Sequence, residues 1–140
     1  PNLVTNIINI CKKHSVPIIV NTQISDWGNK VNIHLSKFDG CDLFVLNEQE
    51  AEHFNLKCDY VKTIGANGCI YKDIHVDSMK CNVKDTCGAG DSFTSIISTL
   101  NWKDNPRAAL EKCNIWAGLS TENIGACPPS FERFESCLNN

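Results

Sequence analysis

One string in this 140-residue chain combines the means to hold an anion with the means to take a proton: Asp85-Thr-Cys-Gly-Ala-Gly-Asp91. Gly88, Ala89 and Gly90 are small enough to let the backbone come close to a ligand. A helical pattern begins at Ala89, so these N–H groups stand at a helix start, unpaired and at the positive end of its dipole. That is an anion hole for a phosphate gaining charge in a transition state. Asp91 falls in the first turn, where a carboxylate beside the hole can take the proton of an attacking hydroxyl. The plain alternative is a glycine-rich turn followed by an acidic residue. A Walker A loop is excluded, because no Gly-x-x-x-x-Gly-Lys-Ser/Thr occurs. The dinucleotide fingerprint fails as well, because Phe93 follows where a third glycine is needed.

Alternating elements must position this string. Asn2 to His14 spaces its apolar residues as an amphipathic helix does. Pro17-Ile-Ile-Val20 and Asp42-Leu-Phe-Val-Leu46 are short apolar runs typical of buried parallel strands. Thr22 to Lys30 is a polar loop, and Val31 to Phe38 suits a short helix. Glu48 to Asn55 is a helix opening at Asn47, a good N-cap. Tyr60 to Ile64 is a third strand, followed by the two-glycine turn Gly65-Ala-Asn-Gly68. Cys69-Ile-Tyr71 and Ile74-His-Val76 make a hairpin. Helices follow over Ala89 to Leu100, Pro106 to Glu122 (Pro106 suiting a first turn) and Phe131 to Leu138. Strands alternating with helices predict an α/β fold, a three-layer sandwich whose mostly parallel sheet is covered on both faces. Ligands in such sheets bind beyond the carboxyl ends of the strands. Asn47 to Glu50, Thr63 to Gly68 and Asp85 to Asp91 are therefore the candidate segments.

Composition narrows the function classes. A length of 140 residues suits one domain, residues 1–140, with one core. The net charge of −3 argues against nucleic acid, which demands a basic face. No apolar run approaches a membrane span, and no basic, apolar, small-residue leader opens the chain. The nine cysteines are scattered singly, with no Cys-x-x-Cys, and the four histidines lack ligand spacing. They read as reduced thiols in a cytoplasmic protein rather than a zinc site or a disulfide framework. The start at Pro1 rather than Met fits a piece of something longer.

The string Asp85 to Asp91 with the following Ser92-Phe93 resembles the signature of the ribokinase-like (PfkB-type) carbohydrate kinases, and further matches follow in that family's order. Asn47-Glu-Gln-Glu50 looks like its Asn-x-x-Glu motif. Thr63-Ile-Gly-Ala-Asn-Gly68 is similar to its nucleotide loop. Asn114 to Ser120 and Gly125-Ala-Cys-Pro-Pro129 resemble its late helix and closing turn. Resemblance runs from about Pro1 to Phe134, and Val20-Asn-Thr-Gln23 leans towards the heptose-phosphate kinase branch. The resemblance implies the C-terminal portion of a ribokinase-like fold, using ATP and Mg2+ to phosphorylate a hydroxyl of a sugar or sugar phosphate. It implies Asp91 as base and Gly88, Ala89 and Gly90 as anion hole. Asn47 and Glu50, a helical turn apart on one face, would organise magnesium through its waters. Thr63, Gly65 and Gly68 would face the phosphates, and Asn114 would line the adenine pocket. Asp85 with the carbonyls of Cys87 and Gly125 stands where the family often holds K+. Pro129, with Ser130 beside it, replaces the serine that commonly completes that site.

Each position also has a structural reading. Asn47 can be only a cap, Glu50 a solvated helix residue, Gly65 and Gly68 parts of a turn, and Asn114 a buried polar contact. Family members are about twice this length. The half that carries sugar recognition, with its Gly-Gly-Lys-Asn-like stretch and small β lid, has no counterpart here. The chain is thus expected to be the nucleotide-binding half of a kinase, with the acceptor pocket supplied by a missing N-terminal half or a homo-oligomer partner. Two other functions fit the residues: a non-catalytic nucleotide-binding or interaction module, and a nucleoside or vitamin-alcohol kinase.

Overall fold

A computed structural model describes residues 3–22, 38, 40–53 and 57–139. The order of elements is α1 (Leu3–Lys13), β1 (Ile19–Asn21), β2 (Leu43–Asn47), α2 (Glu48–His53), β3 (Tyr60–Thr63), β4 (Cys69–Tyr71), β5 (Ile74–Val76), α3 (Ala89–Ile97), α4 (Pro106–Ser120) and α5 (Phe131–Leu138), with a 3-10 turn over Gly65–Asn67. The first helix, the hairpin and the three late helices fall where the periodicities place them. The first strand lies slightly later than its apolar run, at Ile19–Asn21, so Pro17 stays outside the ladder, where its missing N–H costs nothing. The loop of residues 23–30 and the helix expected over Val31 to Phe38 lie outside the described residues, apart from Phe38.

The five strands form one sheet in the order β1-β2-β3-β4-β5. β1, β2 and β3 run parallel, with Asn21 opposite Val45 and Asn47 opposite Thr63. The hairpin β4–β5 continues the sheet antiparallel. Side chains alternate across a strand, and β2 shows both faces covered. Leu43 and Val45 join a cluster with Phe93, Ile97, Leu110 and Cys113 from α3 and α4, while Phe44 and Leu46 pack with Ile8 of α1 on the other face. Four consecutive fully buried residues explain why this strand is an unbroken apolar run. The result is the expected α/β sandwich with helices on both faces.

Local signals set the ends of the helices that frame the site. Asn105 accepts from the Ala108 N–H with Pro106 at the first position of α4. Ser130 accepts from the Arg133 N–H and so caps α5. Trp116 and Phe134 meet edge to face, ring centroids 5.1 Å apart, and fasten α5 to α4. At the hairpin's entry Gly68 has φ +92°, and a Cβ there would stand 1.9 Å from the Val76 carbonyl oxygen. Only glycine fits this crossing of two chains.

Candidate active site

The parallel strands end at Asn21, Asn47 and Thr63, and α3 starts beside them. Asp85 builds the loop that leads into α3. Its Oδ1 accepts from the Cys87 N–H at 2.9 Å and its Oδ2 from the Gly125 N–H at 2.8 Å. The carboxylate thus ties the glycine loop to the closing turn 40 residues later. These two donors, that of Cys87 first, hold the Asp85 carboxyl below its ordinary range. Gly88 then turns left-handed at φ +77° as the N-cap of α3, packed so closely on Ala126 that a Cβ would lie 2.7 Å from the alanine's.

The N–H groups at this helix start are unequally free. That of Ala89 is spent on the Thr86 carbonyl, and that of Ser92 on Gly88. Those of Gly88, Gly90 and Asp91 meet no backbone acceptor among the described residues, so the hole has fewer open donors than a bare helix end. A Cβ built on Gly90 meets nothing within 4 Å, which leaves the approach to those donors open.

Beside the helix start lies a cavity of about 650 Å³, within the range that holds small ligands and cofactors. Thr63, Gly65, Gly68, Ala89, Gly90 and Asn114 all reach it, so two of the three candidate segments and Asn114 meet at one place. Thr63 lines it and donates its hydroxyl to the Leu46 carbonyl. Asn114 is buried, and its amide donates to the carbonyls of Val76 and Asp77 at 3.0 and 3.1 Å. It holds the chain leaving β5 against α4, and so shapes the cavity wall with its donors already used. Sequence reasoning missed other wall residues: Met79, Lys80, Cys81, Val83 and Gly118. The Cys81 thiol bonds to the Met79 carbonyl, and burial first, then the nearby Glu122 carboxylate, push it up from its ordinary value. No short-range pattern marks these residues, because the wall forms only when α4 packs against the segment after β5.

Asn47 and Glu50 stand at the end of β2, outside the cavity lining. Each serves the other: Asn47 Oδ1 accepts from the Glu50 N–H, and Glu50 Oε2 accepts from the Asn47 N–H, both at 2.8 Å. This is a reciprocal capping box at the start of α2, and it buries Glu50 to 2% exposure. The cap and the family motif are one arrangement.

Asp91 is exposed and lines not this cavity but a second depression, with Val16, Ile19, Asn21 and Thr94. Its Oδ1 accepts from Asn21 Nδ2 at 2.8 Å. Gly90 thus lines the larger cavity, and Asp91, the next residue, lines the second depression. Asn21 was not among the sequence candidates, although the rule that nominated Asn47, a polar residue at the carboxyl end of an apolar strand, applies to it equally.

No protein-family model matches the chain. It is 24% identical to the deoxyribokinase of Salmonella typhi, an alignment covering 94% of this chain and 51% of that protein. It is 26% identical to the bifunctional protein HldE of Campylobacter concisus, covering 96% of this chain and 32% of that one, a likeness in line with the lean towards the heptose branch. Among solved structures, the ribokinase of Arabidopsis thaliana, complexed with ribose and ATP, superposes with a TM-score of 0.80 at 20% identity, over 99% of this chain and 52% of that one. The chain spans about half the length of the deoxyribokinase and ribokinase it matches. In its fold and in the order of its motifs, the chain is similar to the ribokinase-like (PfkB-type) carbohydrate kinases.

Proposed function

We propose that this chain carries the nucleotide side and the base of an ATP-dependent kinase acting on a hydroxyl of a sugar or sugar phosphate. The observation that carries the reading is the arrangement around α3. A cavity sized for a nucleotide is lined by Gly90, and Asp91, one residue on, lines an adjoining open depression. A phosphate at the helix start meets free N–H groups and the helix dipole. A hydroxyl in the depression meets Asp91, which accepts its proton as the oxygen attacks the γ-phosphorus and the bond to the leaving ADP oxygen breaks. Positioning of both partners supplies most of the rate in such transfers.

Mg2+, when bound with the nucleotide, neutralises charge developing on the phosphates. Among the described residues no cluster of three His, Cys, Asp or Glu side chains could hold a metal. A contact through water from Asn47 and Glu50 is the arrangement this chain can offer, since each already holds the other's backbone N–H. K+ would share the remaining lone pairs of the Asp85 carboxylate and the Gly125 carbonyl, whose oxygens each accept one loop N–H.

The test is Asp91→Asn in the native full-length protein that contains this chain. Turnover of ATP with a sugar or sugar-phosphate acceptor is expected to fall by about 10³-fold or more, while calorimetric ATP binding stays within about twofold. Unchanged turnover would remove Asp91 from the role. The second reading, a nucleotide-binding module without catalysis, draws on the chain's spanning half of its relatives. ATP binding with no turnover in the full-length protein would favour it.

A further inference from the structure

Asn21 and Asp91 are 70 positions apart, yet the fold brings the asparagine amide to 2.8 Å from one oxygen of the carboxylate. Asn21 is the last residue of β1, fixed in register opposite the buried Val45 of β2. Asp91 is the third residue of α3, anchored by Phe93 and Ile97 in the core. The contact thus joins two rigid elements. Among the described residues, Asn21 is the side-chain hydrogen-bond partner that Asp91 has, and it occupies Oδ1 alone.

We propose that Asn21 is a positioning residue for Asp91: its amide holds Oδ1 so that Oδ2 is presented to the acceptor hydroxyl. The inference rests on the reading of Asp91 as base. The choice of a neutral donor matters. A lysine or arginine at this place would pair with the carboxylate and weaken it as a base, and an acid would repel it. An amide supplies one hydrogen bond of fixed direction and leaves the negative charge in place. A carboxylate free to turn about its last side-chain torsion would spend much of its time with neither oxygen aimed at the acceptor.

The experiment uses the native full-length protein and three variants: Asn21→Ala, Asn21→Asp and, as the control for the underlying reading, Asp91→Asn. Asn21→Ala is expected to lower kcat about 10- to 100-fold with KM for ATP and the ATP dissociation constant within about twofold. Asn21→Asp, close in shape but without the donor, is expected to lose at least as much, with the thermal midpoint of unfolding close to wild type. Asp91→Asn retaining full turnover overturns the base assignment, and this inference with it. Asp91→Asn inactive with Asn21→Ala and Asn21→Asp at wild-type kcat overturns the positioning role and leaves the base assignment standing. A fall in ATP affinity that matches the fall in kcat makes the contact structural, and also overturns the role. Should Asn21→Ala not fold, the near-isosteric Asn21→Asp decides alone.

Discussion

Asp85 shows how one side chain can serve geometry first. It opens the most chemical-looking string in the chain, but both of its oxygens are taken by backbone N–H groups, of Cys87 and of Gly125. Those bonds are stronger to the ionised carboxylate, so its folded-state pKa lies below the ordinary 3.8. A lowered carboxyl pKa gives stability that is present above the unfolded value and lost as pH falls through the folded one. In Asp85→Asn, the urea midpoint should drop most near neutral pH, and the gap to wild type should close as pH falls below about 3.8. A gap of constant size down to about pH 2 would show that the charge is not what holds the loop. Asp91 was legible from type and place alone, because a carboxylate two residues into a helix needs only local sequence to recognise. Asn21 was not, since its partner lies 70 residues away and only the packing of β1 on α3 joins them. Asn114 was legible as a polar residue on an apolar face, but the two carbonyls that use its amide belong to the exit of a distant strand.

At the scale of elements, most of the fold could be read because the hydrophobic periods are clean. The α4 period and its cap are both short-range signals, and the four-residue apolar run of β2 needs two covered faces to make sense. Strand order and the free wall of the cavity could not be read so, because they depend on which elements meet. Gly68 sits where these scales join. Its φ of +92° and the 1.9 Å from a Cβ to the Val76 oxygen mean that alanine must push the β5 exit away from β4. Ser78, whose N–H lies 2.7 Å from the same Cβ, lines the cavity, so the disturbance reaches the site. Gly68→Ala is expected to cost about 3 kcal/mol in chemical denaturation, with weaker ATP binding in the protein that still folds. A denaturation midpoint equal to wild type would show that the hairpin can yield at this crossing.

For the whole molecule, the surface around α1 and β1 is the part least accounted for by the fold described. The apolar residues of α1 divide into two stripes. Val4 and Ile8 pack on Phe44 and Leu46, while Leu3, Ile7 and Ile10, spaced to share a second face, are 72%, 49% and 60% exposed. The sequence pattern reads as one amphipathic helix, since periodicity alone does not say that two neighbours must be covered. Next to this stripe, β1 is the outermost strand of the sheet among the described residues, and Val16 is exposed beside it. An apolar helix face together with an unpaired strand edge is a surface that associates. The 140-residue chain studied by itself is therefore expected to self-associate, with a sedimentation profile that shifts to larger species between about 1 and 100 μM. Ile7→Lys combined with Ile10→Lys places two charges on the stripe without touching Ile8, so the core contact with Phe44 stays intact. That double variant should remain monomeric over the same range, with a far-UV spectrum like that of wild type. If the unsubstituted chain is monomeric throughout, the stripe is tolerated as ordinary surface. If the double variant associates as strongly as wild type, the edge of β1 rather than the helix face is the contact, and charges placed on that edge become the informative change.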